Sequence, residues 1–202
     1  MSRIRKLEIA LVIGLIVSIV FCSVGSFAST CEGIRENVLR LHILANSDSK
    51  EDQALKLKVR DRILQETGDL FYAETKQGAE QKVSAQLDRV QHIAEDEIKR
   101  QGYEYPVQVE LTNMFFDTRQ YGEITMPAGR YDAMRVTIGT AQGKNWWCVL
   151  YPPLCLPAAE PEQELSQALT DEQVDLVEKN PKYEVRFAIV ELWETLKEKL
   201  FG

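Results

Sequence analysis

Four cysteines, two histidines and a handful of acids are the side chains of this 202-residue chain that could do chemistry. Cys148 and Cys155 stand close together in NWWCVLYPPLC (145–155), beside Trp146, Trp147 and the Pro152-Pro153 pair. A reactive thiol, a metal site or a disulfide could use such a stretch. A catalytic thiol needs a base to make its thiolate, and His42 is the imidazole left to supply one. Two cysteines without nearby histidines are an incomplete zinc set. A bridge across the loop would contribute about 2–3 kcal/mol by loop-closure entropy, and the Pro pair can turn the chain back. A Cys148–Cys155 disulfide is the leading reading, ahead of a pair of buried thiols and, last, a catalytic or metal role. No metal and no cofactor are expected.

His42 can be read as a base beside Asp48, or as a structural histidine near a strand end. His92 is not placed to help it. No hydrolase serine elbow, phosphate loop, H-E-x-x-H or dinucleotide fingerprint occurs. Carboxylates cluster only as helix-face charges, such as Glu95, Asp96 and Glu97. These residues point away from an enzyme. The rival readings are an exported enzyme using His42 with Cys148 or Asp48, and a structural domain of the cell envelope.

The elements that would hold these residues follow from patterning. MSRIRK carries three basic residues, and the uncharged run Ile9–Ala28 follows. Ser26-Phe27-Ala28 suits a cut between Ala28 and Ser29, so residues 1–28 read as a signal peptide or as an uncleaved N-terminal membrane anchor. Residues 29–202 form one exported domain, and the basic flank keeps the start of the chain inside. The whole chain carries a net charge of −7; residues 1–28 hold three bases and one acid, which leaves −9 on the rest. An acidic surface argues against a nucleic-acid partner and against attraction to anionic lipid, so the membrane would be met only through the N-terminal segment.

Residues 38–45 read as a strand. The turn NSDS (46–49) can cap a helix from Lys50, in which Leu55, Val59 and Ile63 form one apolar stripe and Leu57 and Leu64 a second. A second helix is expected over 76–101, capped at Gly102. Residues 106–111, a hairpin over 114–126, then 128–139 and 146–151 read as strands joined by short turns. Thr170 to Gln173 is a capping box, Asn180-Pro181 restarts a helix, and Ile189, Trp193, Leu196 and Leu200 follow at helical spacing. The expected fold is α+β: an antiparallel sheet of about four to five strands with helices packed on it, behind the N-terminal apolar helix. Successive residues of a strand face opposite ways, so one of Trp146 and Trp147 can fill the core while the other docks a partner.

Two segments, LRLHILANSDSKEDQALKLKVRD (39–61) and AGRYDAMRVTIGTAQGKNWWCVLYPPLC (128–155), resemble stage II sporulation protein R of endospore-forming bacteria. YEVRFAIVELWE (183–194) is similar to that family too. Lys50 departs from the family pattern, where proline is more usual, and Cys31 has no role that carries over. The resemblance implies a protein made in the forespore and exported into the space between forespore and mother cell. There it would activate a membrane-embedded aspartyl protease that removes the pro-sequence of sigma-E, with no turnover of its own. Polar residues on a turn beside a strand edge often bind partners, so the contact surface expected from the residues themselves comprises His42, Asn46, Ser47, Asp48, Trp146 and Trp147. The same polar residues could instead cap the helix and close the sheet. The oligomeric state is not legible.

Overall fold

The computed structural model describes residues 3–155, 161–178 and 184–201. The chain begins with α1 (Arg3–Glu36), an unbroken helix that carries the whole Ile9–Ala28 run and continues past it. Among the described residues no helix is long and apolar enough to cross a membrane; the side chains at 17, 20, 21 and 24 lie outside them. After α1 come β1 (Leu39–Leu44), α2 (Lys50–Thr67), a short 3-10 turn, α3 (Lys76–Ser84) and α4 (Leu87–Arg100). Next are β2 (Val107–Phe116), β3 (Arg119–Tyr121), β4 (Ile124–Met126), β5 (Gly129–Ile138) and β6 (Asn145–Tyr151). Among the described residues, α5 (Pro161–Ala168), α6 (Asp171–Val177) and α7 (Glu184–Phe201) follow.

The α+β class is as the sequence suggests, but the sheet is mixed. Its order is β2-β5-β1-β6, with β1 parallel to β5 and antiparallel to β6. β3 and β4 form a separate two-stranded sheet. Short turns suggested that β5 and β6 pair directly, as in a meander. Instead β1 lies between them, and the loop 139–144 passes over its end. Neighbouring strands are about 4.8 Å apart, so a six-residue loop easily reaches across two spacings.

Two apolar layers sandwich this sheet. Leu39, Leu41 and Ile43 point to one face and are fully buried under α2, α3 and α4. Leu55, Val59 and Ile63 bury the expected stripe of α2, each side chain stabilising by about 2 kcal/mol. The second stripe holds only at Leu64, since Leu57 is exposed. The helix expected over 76–101 is two helices with a break at Ala85-Gln86. Gly102, at φ +84°, makes the expected left-handed cap. The other sheet face meets the end of α1, β3–β4 and the C-terminal helices, with Ile34, Phe116, Tyr131, Val149 and Val177 in its core. Thr170 and Gln173 form the reciprocal capping box of α6. Asn180-Pro181 lies outside the described residues. On α7 the expected stripe is exposed at Ile189, Trp193, Leu196 and Leu200.

Candidate functional site

The alternation of β1 sends Arg40 and His42 to the face opposite Leu39, Leu41 and Ile43. Both polar residues are buried, Arg40 completely. The Arg40 guanidinium lies over the rings of Phe116, Tyr121 and Tyr131, at 4.4, 5.4 and 4.9 Å from their centroids. Its Nε donates to the carbonyl of Cys148 at 3.2 Å, and an Nη donates to the Tyr121 hydroxyl. Cation–π contacts and charge-assisted hydrogen bonds thus hold a buried cation among aromatic rings.

His42 pairs with Trp147 across the β1–β6 ladder. The two rings stack with centroids 3.9 Å apart and planes within 3°, and Phe116 meets the indole edge-on at 4.6 Å. His42 Nε2 lies 2.9 Å from Asn145 Oδ1. An amide oxygen only accepts, so Nε2 carries the proton. Nδ1 is then bare, buried and without a hydrogen-bond partner among the described residues. Burial pulls the imidazole pKa down to about 4, against the opposite pull of the Asn145 bond. His42 is therefore neutral at pH 7.

Where β1 ends, the residues of the motif H-x-x-A-N-S-D-S-x-x-D-Q-x-x-K build one joint. Ser49 caps α2 by accepting the N–H of Asp52 at 3.1 Å. Asp52 in turn accepts from Asn46 Nδ2 at 2.9 Å and from Ser47 Oγ at 2.5 Å. Burial works to raise the Asp52 pKa, but hydrogen bonds from Ser47, Asn46, Tyr105 and Ser49 outweigh it and hold the carboxyl below its usual value. Gln53 Nε2 donates to the Ser47 carbonyl at 2.9 Å. The buried Lys56 ammonium donates to Gln53 Oε1 and to the carbonyl of Lys144.

The other half of the joint is the loop after β5. Asn46 Oδ1 accepts the N–H of Thr140 at 3.0 Å, and Asp48 Oδ1 that of Lys144 at 2.7 Å. Gln142 and Gly143 donate their N–H groups to the carbonyls of Asn46 and Ala45. The approach needs glycine. A Cβ on Gly143 would lie 2.2 Å from the Ser47 carbonyl oxygen. One on Gly139, at φ +61°, would lie 2.2 Å from Asn46 Oδ1.

Trp146 faces the opposite way from Trp147, under the guanidinium of Arg60 at 4.8 Å. With Leu64, Gln65 and Cys155 it lines a cavity of about 600 Å³ between α2 and the turn after β6. Cys148 and Cys155 are joined in a disulfide, with Cα atoms 6.0 Å apart. Cys148 shares its sheet face with Trp146, so His42 and Cys148 point to opposite sides of the sheet. Asp48 is engaged by the Lys144 N–H. The three residues of the enzyme reading are not gathered into one catalytic group. Among the described residues no cluster of His, Cys, Asp and Glu could hold a metal ion.

Of the residues singled out in the sequence, Asn46, Ser47 and Asp48 come together in the joint, and His42 meets Trp147 in the stack, two residue pairs back from the end of the β1–β6 ladder. Trp146 is on the far face. Sequence reading missed Arg40, Asp52, Gln53, Lys56 and Thr140 as parts of this region. The spacing D-Q-x-x-K after NSDS was a usable signal for Asp52, Gln53 and Lys56, since residues in the first two turns of a helix can reach back to its cap. Arg40 and Thr140 gave none, because only the pairing of strands brings their partners near.

A family model described as stage II sporulation protein R matches residues 35–161. The stage II sporulation protein R of Bacillus subtilis (strain 168) is 37% identical over 123 residues, which cover 60% of this chain and 55% of that relative. The chain thus spans just over half the length of the curated relative it matches. No solved structure matches. The matched segment contains the joint, the His42–Trp147 stack and both cysteines of the disulfide.

Proposed function

This chain belongs to the stage II sporulation protein R family, and from that premise we propose that it is an exported signal of endospore formation. It is made in the forespore and activates the membrane-embedded aspartyl protease of the mother cell that processes pro-sigma-E. It acts by binding, without turnover of its own. The observation that carries the reading is the family match over residues 35–161 together with the joint inside it. That joint holds the loop 139–144 against the end of β1 and the start of α2 and so sets the position of the β6 strand that follows it. The disulfide agrees with a site of action on an oxidising side of a membrane.

The contact surface we assign to the protease is the outer edge of β6 and the turn beside it. β6 is an edge strand of its sheet. Trp146 and Trp147 flank that edge from its two faces, each half-buried, and the exposed Asp48 stands at its near end. Aromatic side chains at a half-exposed edge make strong anchors for a partner, and an edge strand can accept an added strand.

Reconstitution tests the activity. Full-length chain, the protease and pro-sigma-E are combined in membranes, and cleavage is scored. Cleavage that depends on this chain is expected; cleavage at the same rate without it overturns the reading. Asp48→Ala tests the surface. A folded variant that no longer activates supports docking. A large drop in melting temperature, with normal specific activity of the folded fraction, assigns Asp48 to the joint alone. Cys148→Ser and His42→Ala variants that still support processing dispose of the enzyme reading. A deletion strain with normal sigma-E processing favours the envelope-domain reading instead.

A further inference from the structure

The sequence leaves open whether residues 1–28 are removed. The packing of α1 bears on this directly. The helix passes through the expected cut at Ala28–Ser29 without a break, and residues on both sides of that bond belong to the second core. Phe27 is 5% exposed and packs edge-on against Phe187 of α7, ring centroids 5.4 Å apart. Cys31 and Ile34 are fully buried. The Cys31 thiol is pushed up to about 12 by burial, only partly offset by Arg35, which fits a packing role. Arg35 donates to the carbonyl of Ala128 at 2.9 Å and pairs with Glu194 at 3.5 Å. Thr30 Oγ1 donates to Glu172 at 3.2 Å. A cut after Ala28 would strip Phe27 from Phe187. It would also place a charged amino terminus two residues from the buried Cys31.

The outer half of α1 is different. Leu11, Val12, Ile13, Leu15 and Ile16 are each more than half exposed. Five such positions within six residues, at 100° per residue, cover an arc of about 200°. A protein groove calls for a stripe about 100° wide, so this face is broader than one groove would cover and suits hydrocarbon. The run 9–26, ahead of the first residue buried in the domain, rises about 27 Å at helical pitch, close to the thickness of a bilayer core. No charged residue occurs between Glu8 and Glu32, and Arg3, Arg5 and Lys6 stand at the outer end, where lipid phosphates would lie.

We infer that α1 is retained, and that the folded domain is held at a lipid bilayer by this one continuous helix. Its outer part occupies the bilayer; its end, from Phe27 on, completes the second core. The domain is then not a freely diffusing signal. It is tethered with the Phe27–Phe187 contact at the point where the helix leaves the lipid, and it can reach only what lies within a domain's length of that surface.

The test uses the full chain with a C-terminal tag in sporulating cells. Membrane and soluble fractions are separated, and the intact mass of the chain is measured. The expected result is the uncut 23.1 kDa chain (plus the tag) in the membrane fraction, resistant to a carbonate wash. A chain beginning at Ser29 in the soluble fraction overturns the inference. Purified full chain should also float with vesicles of phosphatidylcholine and phosphatidylglycerol; failure to float counts against the lipid seat. The signalling reading is scored separately, by sigma-E processing. A cut, soluble chain that still supports processing defeats the tether and leaves the signal standing.

Discussion

The imidazole of His42 lies flat on the indole of Trp147, with ring centroids 3.9 Å apart, and its buried Nδ1 finds no hydrogen-bond partner among the described residues. This stack ties the central strand β1 to the edge strand β6. It also makes the fold sensitive to acid. The folded ring takes a proton only near pH 4, because burial disfavours the cation. The unfolded chain takes it up near 6.5. Between those values the unfolded state binds more protons, so stability is full above about pH 6.5, declines as pH falls to about 4, and changes no further from this group below that. The decline amounts to about 3 kcal/mol. Urea unfolding from pH 7 to pH 4 measures it. His42→Phe keeps a ring on Trp147 and should flatten this part of the profile.

Asp52 should be the most costly residue of the joint to remove. It satisfies Asn46 and Ser47 through its side chain and Ser49 through its N–H. Asp52→Ala leaves two donors without their acceptor in a part-buried turn, a loss of about 3 kcal/mol. Chemical denaturation should show it as a lower midpoint. Asp52→Asn, which keeps one acceptor oxygen, should lose less.

Gly143→Ala forces a Cβ into the Ser47 carbonyl, 2.2 Å away. Both atoms belong to tightly bonded backbone, so the loop must move and break its bonds to Ala45 and Asn46. The expected cost is above about 2 kcal/mol. Faster amide exchange at Gln142 and Gly143 should accompany it. Gly102→Ala, where a Cβ meets open space but the backbone is left-handed, should cost only about 1 kcal/mol.

Reducing the Cys148–Cys155 disulfide should lower stability by about 2–3 kcal/mol, the value expected for so short a loop. A Cys148→Ser, Cys155→Ser double variant should show the same change without reductant. The stability of that variant should not respond to added dithiothreitol. Calorimetry with and without reductant separates these cases.

Much of the fold could be read locally. Ser49 caps α2, Thr170 with Gln173 boxes α6, and Gly102 ends α4, because caps are written within four residues of the helix they serve. Met134, Val136 and Ile138 are buried on one face, as their alternation requires. Reading failed where the outcome depended on distant chain. Leu57 looked like core but lies on the exposed side of α2. Helix 76–101 looked continuous because its apolar stripe runs through Ala85-Gln86, where the structure divides it.

The sequence by itself determined the strands within 38–45, 106–111, 128–139 and 146–151, the helix from Lys50 capped by the NSDS turn, and that residues 9–28 carry no charge. It also carried the family resemblance, since that rests on the order of residues alone. Only the tertiary structure decided that β1 enters between β5 and β6 and makes the sheet mixed. Strand order depends on contacts across some ninety residues of chain, and no local propensity encodes which strand lies beside which. From that one insertion follow the stack of His42 on Trp147, the seating of loop 139–144 on the NSDS turn, and the separation of His42 from Cys148 by the thickness of the sheet.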